Sequence, residues 1–338
     1  MTVIGISGIG SIGARHARVF RAIPGVRVIA HDPFADQQQI LERIGSDVSV
    51  VGTFSELLDL GTDGVVLASP ESAHVDQVLA ATSRHLPVLV EKPIAATLPD
   101  AARLLPALPA PVLVGYVLRH YRCMISAAAM LRAGSVGTPV SFHVDLGAYE
   151  TLVVARNRFE HAPAGTIYAD YSHEWDYLRW WFGEIAAGCA VEQTVTSVPL
   201  VQRPNVVDAL LRLAGGVTGT VHLDYLQDPG HRRITVVGDA GRLTIDAGTG
   251  MVSRSARGST QPETIDRGEP RDHAFAAQAA HFLAVARGET EPLVGVADGI
   301  AALATAVALR RSAATGSWQE VPPAATVTGP SILRPPAG

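Results

Sequence analysis

The sequence predicts an α/β protein: a doubly wound parallel sheet at the amino end, followed by a second α/β domain with a large, mainly antiparallel open sheet. Three observations carry this. The first third of the chain alternates short β-branched runs with amphipathic stretches, the pattern of parallel strands joined by crossover helices. A glycine-rich turn, G-I-G-S-I-G, directly follows the first run. Between Ala187 and Asp246 strand-like runs succeed one another across Gly-Gly and Asp-Pro-Gly turn signals, connections suited to antiparallel neighbours.

In order, strands are expected over residues 2–7, 26–30, 64–68, 88–90 and 112–114, with helices over 11–22, 36–43, 55–60, 73–84 and 98–105 between them. Such a series covers both faces of a parallel sheet. After Gly115 the rhythm changes to a helix over about 118–133, a strand ending near Gly147, an Arg-rich loop and a helix over about 170–182. The runs V-V-D-A-L-L-R-L, V-T-G-T-V-H-L-D-Y and R-R-I-T-V-V-G read as strands, and the alanine-rich stretches 273–286 and 295–314 as helices. The Pro-rich end from Val321 reads as an unpacked tail. The expected division is a first domain over 1–117, a second over 118–322 and a tail over 323–338.

Composition narrows the function. A chain of 338 residues, 47% hydrophobic, suits two domains with a core each. A net charge of −5 supplies no basic field for a nucleic acid. Cys123 and Cys189 lie far apart without a C-x-x-C, so two thiols in a reducing cytosol are expected rather than a disulfide framework or a metal site. The amino end lacks the basic and apolar segments of a signal peptide, and no run approaches the ~20 apolar residues of a membrane span. The expectation is a soluble, cytoplasmic protein.

Gly8, Gly10 and Gly13 have the G-x-G-x-x-G spacing between a strand and a helix. The first allows a tight turn, the second close approach of backbone to a pyrophosphate, and the third packing of helix on strand. The helix start presents free N–H groups and a positive dipole end to phosphate. Asp32 ends the second strand about twenty positions further on, where a carboxylate accepts both ribose hydroxyls of the adenosine half. A carboxylate there repels a 2′-phosphate, and residues 33–39 contain no Arg or Lys. NAD is therefore expected in preference to NADP, with His31 the one neighbour that could still meet a 2′-phosphate. Ser11, Ile12, Ser69, Pro70, His74 and Glu91 are expected beside these as cofactor contacts.

Of the 27 Lys and Arg residues only Lys92 is a lysine. It follows the strand at 88–90, on the edge where open α/β sheets bind ligands, and Pro93 fixes the backbone after it. An ammonium in a partly desolvated cleft can lower its pKa and relay a proton, which a guanidinium cannot. This is a chemical reason for a lysine where every other cation is an arginine.

G-I-G-S-I-G-A-R-H, E-K-P, V-G-Y-V-L-R-H and D-Y-S-H-E-W-D-Y-L-R-W-W-F-G together resemble the Gfo/Idh/MocA family, the glucose-fructose oxidoreductase and inositol dehydrogenase type. The resemblance covers nearly the whole chain up to the tail. It implies a Rossmann domain, a C-terminal α/β domain whose sheet forms a homodimer or homotetramer interface, and oxidation or reduction of a secondary alcohol on a sugar, nucleotide sugar or cyclitol. It implies that Lys92 contacts the reacting oxygen and that His173 is the general acid or base, a role its ordinary pKa near 6.5 suits. Asp170 is expected to orient His173, although the family pattern places the acid where Ala169 stands here. Asp170, His173, Asp176 and Tyr177 are spaced to share one helix face. Substrate contacts are expected from Lys92, Arg119, Arg156, Asn157, Asp176 and His173; Arg158 lies in the same loop, and arginine forks suit carboxylate or phosphate groups. Trp175, Trp180 and Trp181 read either as core or as a surface for stacking on a sugar ring. Redox-neutral glycoside cleavage or epimerisation with held NAD, and a non-catalytic sugar-sensing regulator, are the alternatives the same fold allows.

Overall fold

The computed structural model describes residues 1–154, 164–259, 261–267 and 271–326. Two compact units are present, one of Met1–Val117 with Asp272–Ile300, the other of Leu118–Arg271 with Ala301–Gly338.

The first unit holds a parallel six-stranded sheet. Its strands are β1 (Thr2–Ser7), β2 (Val26–His31), β3 (Ser49–Val50), β4 (Gly64–Leu67), β5 (Val88–Val90) and β6 (Val112–Val114), in the order β3-β2-β1-β4-β5-β6. The crossovers carry α1 (Ser11–Arg21), α2 (Gln37–Ile44), α3 (Phe54–Asp59), α4 (Glu71–Thr82) and α5 (Leu98–Ala102). The strand order reverses between β1 and β4, which places a ligand crevice at the carboxyl ends of these two strands. Ile4, Ile6, Val65, Val66, Leu89 and Leu113 are wholly buried, because a sheet covered on both faces has no solvent side. Asp36, expected as the first residue of a helix, is the N-cap of α2, accepting from the Gln39 N–H in a capping box. The two-residue β3 was not expected; so short a strand has no periodicity to read.

The alanine-rich helix Arg271–Ala286 departs from the expected division. Residues 272–300 pack with the first unit, so the second is not the continuous stretch 118–322. Phe275 lies edge-on to His16 at 5.6 Å and Phe282 edge-on to Phe20 at 6.1 Å, clamping this helix to α1. Fully burying one such phenyl ring contributes about 1.5–3 kcal/mol.

The second unit contains a nine-stranded sheet of β7 (Pro139–Gly147), β8 (Ile185–Gln193), β9 (Val206–Leu213), β10 (Thr218–Asp224), β11 (His231–Gly238), β12 (Gly241–Asp246), β13 (Met251–Ala256), β14 (Glu263–Arg267) and β15 (Gln319–Glu320). Their order is β14-β13-β12-β11-β7-β10-β9-β8-β15. All neighbours are antiparallel except β7 and β10. One face alternates buried Phe142, Val144, Val221, Leu223, Ile234 and Val236 with exposed or half-buried polar residues on the other, as a sheet covered on one side requires. The helices of this unit include α6 (Arg122–Arg132), α7 (Glu150–Val154), α8 (Thr166–Asp170) and α9 (His173–Phe182). The helix expected over 170–182 begins at His173, and a separate short helix, α8, ends at Asp170 before it. The chain breaks at Tyr171–Ser172, and the carbonyl of Tyr168 in α8 accepts the Trp175 indole N–H at 3.0 Å. Among the described residues no helix is long and apolar enough to cross a membrane.

Candidate functional site

In the first unit the glycine-rich turn is shaped for a ligand. Gly8 has φ +88°, and a Cβ on Gly13 would stand 1.8 Å from the Gly8 carbonyl oxygen. Those two glycines are demanded by the protein itself. A Cβ on Gly10 would meet nothing within 4 Å, so packing does not explain that glycine. Close approach of a phosphate does. Gly10 is the N-cap of α1 with no side-chain cap, and the first turn holds no acid, leaving its N–H groups to an anion. The residues present therefore fit a dinucleotide.

Asp32 is built into this turn. Its Oδ2 accepts the Ile9 N–H at 2.7 Å and its Oδ1 the Phe34 N–H at 2.8 Å. His31 points elsewhere: only 5% exposed, its Nδ1 lies 3.1 Å from the Ser7 hydroxyl, and burial pulls its pKa down. A contact from His31 to a 2′-phosphate is excluded by this burial. Gln77, which the sequence did not single out, joins Ser7 to Ser69 by donating to one hydroxyl and accepting from the other.

Lys92 is half-buried, and the Lys92–Pro93 peptide is cis. The residues on either side of it are fixed by histidines. Glu91 Oε1 lies 2.8 Å from Nε2 of His16, a residue of α1, and Glu91 Oε2 accepts the Lys92 N–H at 3.2 Å. Burial pushes the Glu91 carboxyl up, but the hydrogen bond and charge of His16, with the Lys92 charge, outweigh it and hold the carboxyl below its ordinary value. His74 sets Nδ1 2.9 Å from the Pro93 carbonyl and Nε2 2.9 Å from the Ser69 carbonyl, with the ring 1% exposed. Burial lowers its pKa against the pull of both carbonyls. His74 thus ties Pro93 to Ser69, and Glu91 ties Lys92 to α1; both were expected as cofactor contacts. Ser69 is half-buried and Pro70 exposed at the entry to α4.

In the second unit His173 opens α9 and is half-buried. Asp170 closes α8, so the shared-face argument fails for it: a helix break separates the two. Its Oδ2 accepts the Tyr225 hydroxyl at 3.0 Å. Tyr171 packs against Tyr225 with ring centroids 5.1 Å apart and donates to the Asp224 carbonyl at 3.1 Å. Tyr225, one residue beyond β10, is the neighbour the sequence reading missed; the final D-Y of its strand run was the available signal.

Arg119 and Asp176 face each other. Arg119 Nε donates to Asp176 Oδ2 at 2.9 Å and its Nη2 to Oδ1 at 2.7 Å, with both side chains buried. The Arg119 guanidinium also lies 5.7 Å from the Trp180 ring centroid. Expected as substrate contacts, the two form a bidentate internal pair, so the fork meant for an anion holds an internal carboxylate. Trp175 is fully buried and belongs to the core, whereas Trp180 and Trp181 are half-buried. Glu174 is fully buried beside Arg232, whose Nε stands 2.9 Å from it. Arg156, Asn157 and Arg158 lie outside the described residues.

Residues 2–110 match a family model described as an oxidoreductase family with an NAD-binding Rossmann fold, and residues 124–244 match the GFO/IDH/MocA C-terminal domain. Inositol 2-dehydrogenase 1 of Saccharopolyspora erythraea is 30% identical over 340 residues, covering 95% of this chain and 97% of the relative. The scyllo-inositol 2-dehydrogenase (NAD(+)) of Bacillus subtilis is 24% identical over 330 residues, covering 92% and 94%. A solved levoglucosan dehydrogenase, in complex with NADH and levoglucosan, aligns with a TM-score of 0.83 at 19% identity over 95% of this chain and 99% of the other. That likeness shows a common fold.

Proposed function

Because the chain belongs to the GFO/IDH/MocA family, and is thereby an NAD-dependent oxidoreductase acting on CH–OH groups, we propose that it oxidises or reduces a ring carbon of a cyclitol or sugar. When bound, the nicotinamide takes up or returns the hydride. Gly8, Gly10, Ser11, Ile12 and Gly13 hold the pyrophosphate at the start of α1, and Asp32 accepts the ribose hydroxyls. Lys92 Nζ stabilises charge developing on the substrate oxygen. His173 takes the hydroxyl proton on a ring nitrogen and returns it in the reverse direction, and Asp170 with Tyr225 positions the segment leading into His173. The names of the curated relatives favour a cyclitol.

The observation that carries this reading is in the first unit. The only lysine of the chain follows a glutamate anchored to α1, the helix whose uncapped start suits a pyrophosphate. The second sheet is proposed as the contact between copies, since Val191 and Leu210 on its neighbouring strands β8 and β9 are 65% and 39% exposed; light scattering of the purified protein checks the subunit number.

The test is NADH formation from NAD with scyllo-inositol, myo-inositol and a panel of aldose sugars. Turnover on a ring polyol is expected, falling roughly 10²–10⁴-fold in Lys92→Arg while NADH affinity stays within about threefold. Turnover on none of them, or equal loss of binding and turnover in the variant, refutes the assignment.

A further inference from the structure

His173 opens α9, and an imidazole that exchanges a proton with substrate must be held in one place. The start of this helix lacks the usual support. Ser172, at the cap position, has helical backbone angles, φ −66° and ψ −10°, and makes no side-chain cap. Its hydroxyl is buried without a hydrogen-bond partner among the described residues. α8 has already ended at Asp170, so no preceding helical turn carries the segment either.

Two acids of the first turn, Glu174 and Asp176, point inward instead and are buried, a placement acids adopt only when paired. Each meets an arginine from outside the helix. Asp176 takes the Arg119 fork, and Glu174, the residue directly after His173, has its Oε1 2.9 Å from Nε of Arg232. Arg232 is delivered by a paired strand: it stands opposite Leu146 in the β11–β7 ladder, and its carbonyl accepts the Ala247 N–H at 2.9 Å. Burial presses the Arg232 pKa down, and the neighbouring Glu174 charge foremost reverses this, so the guanidinium stays charged.

Stability does not account for such a pair. A buried ion pair exchanged for apolar side chains of like volume is often neutral or more stable, because desolvation consumes the attraction. What the pair does supply is one fixed geometry, and here it is fixed one residue from the imidazole. Tyr225 grips Asp170 on the other side of the helix break. Tyr225 directly follows β10 and Arg232 is the second residue of β11, so the two ends of one strand connection hold the segment that carries His173. We propose that Arg232 is a positioning residue for the reaction: through its ion pair with Glu174 it fixes the first turn of α9 and with it the place of the His173 imidazole. The proposal rests on the role given to His173 above.

Arg232→Met and the double variant Arg232→Met/Glu174→Gln test this, each measured for kcat and KM with NAD and the polyol of the panel above that turns over. Urea midpoints are followed by tryptophan fluorescence, since all four tryptophans belong to the second unit. Arg232→Met leaves the Glu174 carboxylate buried without its counter-charge and lowers the midpoint; the double variant removes both charges at similar volume and is expected to recover it. In both variants kcat is expected to stay about 10–100-fold below wild type, with KM for NAD within about twofold. Recovery of kcat together with the midpoint in the double variant overturns the proposal, since the pair would then serve folding alone. Equal losses in kcat and in NAD affinity overturn it as well, as a general disruption. Where Arg232→Met does not fold, the double variant decides by the same readings. His173→Asn controls the reading beneath: its kcat should fall roughly 10²–10⁴-fold. Turnover retained in that variant, or wild-type turnover on no polyol, removes the role of His173 and this proposal with it.

Discussion

Glu91→Gln isolates the link between α1 and the lysine. The carboxylate has 12% side-chain exposure and two acceptor contacts, to His16 at 2.8 Å and to the Lys92 N–H at 3.2 Å. The amide keeps the shape and loses the charge. Its oxygen can satisfy one of these donors, while its NH₂ group confronts the other. A hydrogen bond to a charged group contributes about 1.5–3 kcal/mol and a neutral one about 1, and a buried donor left without an acceptor costs a further 1–3. The expected loss is about 2–3 kcal/mol. Acid supplies a second signature. The folded state holds the Glu91 carboxyl below its ordinary value of 4.5, so its contribution is present above that value and is lost as pH falls through the lower, folded one. The gap between wild type and variant should therefore narrow below about pH 4. Urea unfolding is followed by far-UV circular dichroism, because Trp175, Trp180, Trp181 and Trp318 all belong to the second unit. A loss below about 0.5 kcal/mol with an unchanged acid dependence would refute the account.

Gly13→Ala puts a Cβ 1.8 Å from the Gly8 carbonyl oxygen; the turn must open, and NADH affinity by titration should fall by about tenfold or more, the cost of an overpacked contact. Tyr225→Phe removes the hydroxyl that Asp170 accepts at 3.0 Å; kcat should fall while NADH affinity holds, and an equal loss of both would deny it a positioning role. His222 is held between Asp224 at 2.9 Å and Asp208 at 2.7 Å, which together raise its pKa to about 9 despite burial. Its contribution is present in full below its ordinary 6.5 and is lost as pH rises through about 9. Thermal midpoints of His222→Gln should therefore lack the decline that wild type shows across that window.

What could be read directly from the sequence was fixed by local rules. The β-branched runs of the first third are strands because short apolar segments between glycines have few other ways to hide both faces, and each of the five expected there lies within a residue of its observed end. The G-x-G-x-x-G spacing constrains the backbone over six residues, so Gly8 and Gly13 could be assigned their geometry before any contact was known. Residues 272–300 were misplaced for the opposite reason. An alanine-rich helix declares that it is buried but not against which sheet, and Phe275 and Phe282 find His16 and Phe20, residues from the other end of the chain.

The break at Tyr171 shows the limit most sharply. Asp170, His173, Asp176 and Tyr177 keep a helical period across it, so periodicity alone predicts one continuous helix. The contacts at the break come from side chains that periodicity does not weigh: the Trp175 indole holds the Tyr168 carbonyl, Tyr171 reaches the Asp224 carbonyl, and Tyr225 holds Asp170. Two of these three partners lie more than fifty residues away. The same logic covers Arg119, whose chemistry suited an anion and whose partner proved to be an aspartate across 57 positions of sequence. Residue type announces what a side chain can bind, but whether that capacity is turned on a ligand or on the protein is decided by long-range packing.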